Sequence, residues 1–359
     1  MAYTTINKSS DYFNTKLYTG NATERSITGV GFQPDFTWIK QRTGVFSHVL
    51  GNVISGNNKF VSSSNNSAES TDSGKFKTFE SDGFQVGTHN GVNQNSETYA
   101  SWNWKAGTSQ TLNSGNVTST VNVNTTAGFS IVSWTGTAGN ILVSHGLGAV
   151  PKMIIVKNLS ITQEWAVYHA SLGGTKYLEL NQNGAAGTAS NRWNNSNPDA
   201  TDFIVSSDAS VNGSGNSMIA YCFADVQGYS KFGSYTGNGS NFDNTFVYTG
   251  FKPAFIIIKR SDGGGGTAQW LLMDNKRAGY NQFNYRLYPN LDNAEITTDY
   301  IDFLSNGFKI REGENDFGAS GGSYIYMAFA EAPRVGTNGV TAKARYWLRN
   351  LSLMLNMNE

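Results

Sequence analysis

Four histidines, His48, His89, His145 and His169, and one cysteine, Cys222, are the side chains best suited to acid–base or nucleophilic work. A hydrolase built on them needs a nucleophile beside a base, or two carboxylates converging on one bond. No histidine recurs at the same place in all three of the repeated blocks described below, although His48 and His169 fall in roughly equivalent segments. Structural or surface roles are expected for all of them. Cys222 lies in the apolar run Ile219 to Ala224, where burial disfavours the thiolate, and alone it forms no internal disulfide. Glu312, Glu314 and Asp316 come closest to a carboxylate pair, but they sit in a Gly- and Asn-containing stretch that reads as a solvated hairpin loop. No catalytic residue is assigned, and the chain is expected not to be an enzyme.

Metal and phosphate chemistry is no better served. Ser261-Asp262-Gly263 and Asn197-Pro198-Asp199-Ala200-Thr201-Asp202 offer oxygen ligands of the kind Ca²⁺ takes, yet Asn and Asp are also the ordinary turn formers. The run Gly263 to Gly266 lacks the Lys-Ser/Thr and the helix of a phosphate cradle. No metal and no cofactor are expected. Sugar binding draws on aromatic faces beside amides, and this sequence has both. Trp193, in the polar loop Asn191-Arg192-Trp193-Asn194-Asn195, reads as the most exposed indole, and Tyr280, Phe283, Tyr285 and Tyr288 form a second aromatic group. Trp193, Tyr280 and Tyr285 are the candidate ligand contacts.

The elements that hold these residues follow from composition and repetition. The 359 residues carry 26 basic and 26 acidic side chains, 40 glycines and 13% aromatics. Charges that cancel, with no Lys/Arg run, leave no electrostatic footprint for nucleic acid or anionic membrane. So many aromatics bury enough apolar area to offset ordering entropy. Neither the N-terminal residues nor any apolar run reads as a signal peptide or a membrane span, so a soluble protein made in a cytoplasm is expected.

Self-similarity then organises the chain. Tyr18-Thr19-Gly20 returns as Trp134-Thr135-Gly136 and Tyr235-Thr236-Gly237. A second block, Gly31 to Lys40, returns at Gly148 to Lys157 and Gly250 to Lys259, with glycine, proline and lysine at identical spacing. Proline fixes its φ and lacks an N–H, so Pro34, Pro151 and Pro253 belong at strand entrances. The apolar runs Met153 to Val156 and Phe255 to Ile258 suit central strands covered on both faces. Closing strands follow, Thr98 to Trp104, Ser217 to Phe223 and Ser323 to Phe329, and in the first the alternation of Tyr99, Ser101 and Asn103 with Ala100, Trp102 and Trp104 predicts one face that is wet or only loosely packed.

Short strands separated by Gly, Asn, Asp and Ser clusters, with almost no helical period, predict an all-β chain of three tandem antiparallel β-sandwich, jelly-roll-like domains. Their expected bounds are 1–108, 115–227 and 228–333. Residues 334–359 form a different segment, rich in Leu, Met, Tyr346 and Trp347, read as a short helix seeking an interface.

The Tyr-Thr-Gly and Gly-Phe-x-Pro-x-Phe-x-x-Ile-Lys blocks, Gly228 to Gly239, and Met327 to Pro333 together resemble a repeat family of tail and tail-fibre structural proteins of marine bacteriophages, including cyanophages. The resemblance runs from about Tyr12 to Pro333 and implies a virion location, with assembly in the cytoplasm of a bacterial host. It carries no binding residue onto this chain. The function it implies is a non-enzymatic virion protein, a tail fibre or host-contacting tail component, whose partners are other virion proteins, further copies of itself as a trimer, and host surface glycans. A capsid or tail decoration or adaptor protein, and a surface-polysaccharide depolymerase, are the rival readings. No nucleic-acid partner and no membrane insertion are expected.

Overall fold

The computed structural model describes residues 4–113, 115–263, 268–278, 281, 285–298 and 301–332. The chain is all-β and sandwich-type, with 43% strand against 6% helix, the helices being single turns. The expected helix within 334–359 lies outside the described residues.

Each repeat builds one principal antiparallel sheet in the same order: opening, closing, central and fourth strand. The opening strands are Phe13–Thr19, Phe129–Thr135 and Ser230–Thr236, and the closing strands are Thr98–Trp104, Ser217–Phe223 and Ser323–Ala332. The central strands are Phe36–Gln41, Met153–Asn158 and Lys252–Arg260, and the fourth are Val49–Asn52, Ala166–His169 and Leu271–Asp274. In the second repeat two strands extend the sheet at each end. Two residues after each repeated proline, Phe36, Met153 and Phe255 pair with Trp104, Phe223 and Phe329. The three prolines thus stand at equivalent strand entrances.

The motif glycines are explained by crowding. A side chain on Gly20, Gly136 or Gly237 would collide with the carbonyl oxygen of Gln94, Gly213 or Ala319, where the loop before the closing strand crosses the end of the opening strand. Only glycine lets those backbones touch. Just before each glycine, Tyr18, Trp134 and Tyr235 meet Phe84, Phe203 and Phe308 edge-on, at 6.4, 5.6 and 6.1 Å between ring centres. Those phenylalanines belong to small second sheets, Arg25–Thr28 with Gly83–Val86, Ile141–Ser144 with Asp202–Val205, and Phe246–Tyr248 with Gly307–Ile310. A small sheet on the outer face of each principal sheet completes a sandwich with its own apolar cluster.

The inner faces of all three principal sheets share a single further core. At its centre Trp104, Phe223 and Phe329, equivalent residues of the closing strands, form a triangle with sides of 6.4, 6.1 and 6.0 Å and interplanar angles of 65°, 69° and 70°. Edge-to-face aromatic packing of this kind adds to the area each ring buries. Three nearly equal sides are the mark of a pseudo-threefold axis running through one chain. The predicted wet or loosely packed face of the first closing strand is corrected here: Tyr99, Ser101 and Asn103 are fully buried. Their polarity is met internally, since Asn103 Nδ2 donates to the Asn14 carbonyl and its Oδ1 accepts from Thr37. Alternation reported polar side chains correctly and solvent wrongly, because a strand flanked on both edges and faces can bury hydrogen-bonded polar groups.

Candidate functional site

Two of the four histidines, His48 and His169, stand at the seams between repeats. The residue before each fourth strand is His48, Trp165 or Trp270. Trp165 Nε1 donates to the Ser62 carbonyl of the first repeat at 2.9 Å, and Trp270 Nε1 to the Glu179 carbonyl of the second at 3.0 Å. His48 Nε2 lies 3.0 Å from the Tyr288 carbonyl of the third repeat. Its Nδ1 accepts the Trp38 indole N–H at 2.7 Å, which leaves the ring hydrogen on Nε2 and makes His48 the donor. The three acceptors are equivalent too: each follows the residue (Val61, Leu178, Leu287) paired with the fourth strand. One ring N–H therefore passes from every repeat to the preceding one, and the circle closes.

The last residue of each fourth strand reaches the other way. Asn52 Nδ2 donates to the Tyr221 hydroxyl at 3.2 Å, His169 Nε2 to the Tyr326 carbonyl at 3.2 Å, and Asp274 accepts from Trp102 Nε1 at 2.9 Å. His169 Nδ1 takes the Ser171 N–H, fixing the same tautomer as in His48. Burial pushes His48 down to about 3 and His169 to about 4, so both rings are neutral near pH 7. The two are not equivalent: they flank opposite ends of their strands. His89 and His145 likewise accept backbone N–H bonds at Nδ1, from Gly91 and Leu147. All four imidazoles are thus held in place by hydrogen bonds.

The motif lysines lie at the far end of the shared core, fully buried. Lys157 donates to the carbonyls of Asn66 in the first repeat and Gln163, and Lys259 to those of Asn183 in the second repeat and Arg260. Lys40 donates to Gln41 and Gly44 and is attracted by Asp292 and Glu295 of the third repeat. Desolvation lowers all three to about 8. At the seam of repeats one and three, Glu295 pairs with both Arg42 and Arg277 at 2.7 Å, and Arg277 with Asp274 at 2.6 Å. Breaking such a buried network leaves uncompensated charge, so it locks this seam.

The candidate ligand residues fare differently. Trp193 is corrected: it is 2% exposed, closes a one-turn helix, and packs edge-on against Tyr168 at 6.0 Å. The polar residues around it mislead because left-handed Asn194 and Asn195 turn the chain back, so that the loop covers the indole. Tyr280 lies outside the described residues, as does Phe283. Tyr285 is partly exposed beneath the Arg42 guanidinium, 5.7 Å from ring centre to Cζ, at the seam of repeats one and three. Tyr288 is buried. Of the loops considered for Ca²⁺, Asp199 accepts the Thr201 and Asp202 N–H groups and Asp262 binds Arg260 and Ser323, so their carboxylates serve turns. Asp316 accepts the Gln269 N–H. Among the described residues no cluster of His, Cys, Asp and Glu is placed to hold a metal. Cys222 is buried, which pushes its thiol up.

A family model described as a domain of unknown function (DUF7483) matches residues 8–333, nearly the whole repeated region. The chain belongs to this family. No curated protein and no solved structure matches it. The family region closes one residue beyond the last described strand, which ends at Ala332, so DUF7483 spans the three-repeat ring and leaves residues 334–359 outside it. The seams escape sequence reading because their donors change identity: only position relative to the fourth strand unites His48 with Trp165 and Trp270.

Proposed function

We propose that this chain is a non-enzymatic structural protein of a bacteriophage virion, a tail fibre or other host-contacting tail component. The observation that carries the reading is the closed ring itself. Residues best suited to chemistry, His48, His169, Lys40, Lys157, Lys259 and Asp274, are buried and bonded across or beside the seams, which is how a protein invests polar groups in rigidity. The motif strings resembling phage tail proteins support the same assignment. Tyr285, partly open beside the Arg42–Glu295 pair, is the place where we put a glycan contact, and weak contacts of that kind gain from repetition across copies.

The internal pseudo-threefold favours one rival. A chain that already contains a threefold axis can sit on the axis of a threefold fibre or vertex as an adaptor, with no homotrimer required. A reconstruction of the intact particle separates these: density at fibre tips supports the first reading, a shell-wide or collar position the second. Purified protein is expected to bind host cells and to lose at least about tenfold in affinity as Tyr285→Ala, the scale of a truncated interfacial aromatic. Release of reducing ends from host polysaccharide would instead establish a depolymerase.

A further inference from the structure

Three equivalent strand edges differ in one respect. In the small sheets, Arg25–Thr28, Ile141–Ser144 and Phe246–Tyr248 are equivalent edge strands, placed in register by the pairs Ile27–Phe84, Val143–Phe203 and Val247–Phe308. In the first repeat the outward residues are Ser26 and Thr28, polar and exposed, as suits a bare edge. In the second they are Leu142 and Ser144, and this edge is covered. Asn116 exchanges two bonds with Leu142, its N–H to the Leu142 carbonyl and its Oδ1 from the Leu142 N–H, both 3.0 Å, while Ser119 donates to the Ser144 carbonyl. In the third they are Phe246 and Tyr248, 41% and 57% exposed, beside Phe242 at 84%. Among the described residues no strand pairs with this edge.

An aromatic bare edge is a template for β-addition. Among the described residues the polar edge is bare, the apolar edge of the second repeat is covered, and the most apolar of the three has no strand beside it. We propose that residues 334–359 of the same chain dock on it and cover Phe242, Phe246 and Tyr248. The last closing strand ends at Ala332, register partner of Lys252, and Lys252 binds Glu331. Tyr248 is only four residues before Lys252, within about 14 Å of extended chain, so a few residues bring the segment to the edge. The segment's composition fits: Tyr346, Trp347, Leu348, Leu351, Leu353, Met354 and Leu355 need an apolar surface.

Hydrogen exchange on the full chain tests this. Peptides from 340–358 are expected to exchange at least about tenfold more slowly than the same sequence free in solution. The Phe246→Lys/Tyr248→Lys variant, altered only at outward positions, should abolish that protection and leave the closing strands unchanged. In a second variant, Leu348→Asp/Leu351→Asp, peptides covering 245–249 should speed up. Free exchange of 340–358 in the unaltered protein, or protection that survives the edge variant, overturns the proposal. Protection that fades on dilution also overturns it, making a second copy the occupant.

Discussion

Lys40, Lys157 and Lys259 show what a repeated motif residue can mean. Their identical spacing was legible in the sequence; their burial was not, since a lysine after an apolar run ordinarily reads as the strand's exit to water. Each is lowered by desolvation to about 8, below the ordinary lysine value. A depressed folded-state pKa means that the unfolded chain holds the proton longer as pH rises, so stability increases from about pH 8 upward. The buried tyrosines act oppositely: Tyr99, Tyr168 and Tyr326 are pushed up to about 12, so their contribution is lost once unfolded tyrosines ionise near 10. On the acid side His48 and His169 withdraw stability as pH falls below about 6.5. The urea midpoint should therefore climb from pH 7.5 to 9.5 and turn over by 11, with the climb reduced in Lys157→Met. A flat profile between 7.5 and 9.5 would show that these amines are solvated. His48→Ala, which strands the Trp38 N–H and the Tyr288 carbonyl in the core, should cost about 2–4 kcal/mol.

Among the elements, strands were legible wherever local chemistry decided the outcome. Pro34, Pro151 and Pro253 open central strands for the reason their ring geometry gives, and the closing strands lie where their alternation placed them. What local pattern could not report is which faces meet, because that depends on chain a hundred residues away. Trp193 is the sharpest case, an indole amid polar neighbours that closes a one-turn helix and packs on Tyr168 of the fourth strand of its repeat. The Tyr-Thr-Gly turn carries the element-scale prediction. Gly136→Ala drives a methyl into the Gly213 carbonyl, and backbone there cannot yield without moving the loop that Asn212 ties to Thr137 and Gly139. We expect a loss above about 2 kcal/mol, in the range of strained or overpacked sites, and the urea midpoint measures it. Ala at Gly56, where a Cβ meets no neighbour within 4 Å, is the control: its φ of +87° alone should cost less, about 1 kcal/mol.

For the whole molecule the question is how many units unfold. Tandem β-sandwiches with private cores melt separately, whereas here each repeat keeps an outer cluster of its own and gives its inner face to a common one. Removing any repeat would bare Trp104, Phe223 or Phe329 on the other two and cut the ring of seam hydrogen bonds at two places. The cost of parting the repeats thus couples them, so calorimetry should give a single transition whose van't Hoff and calorimetric enthalpies agree, unusual for a chain beyond about 150 residues. Phe223→Ala tests the coupling directly. Truncating a buried phenylalanine costs about 3–5 kcal/mol, and because the ring touches Trp104 and Phe329 alike, that loss should fall on all three repeats. The midpoint reported by amide exchange in the opening strand of the first repeat should drop by the same amount as that in the third. If only the second repeat weakens, or if the endotherm resolves into separate peaks, the central triangle is a contact between independent domains and not a shared core.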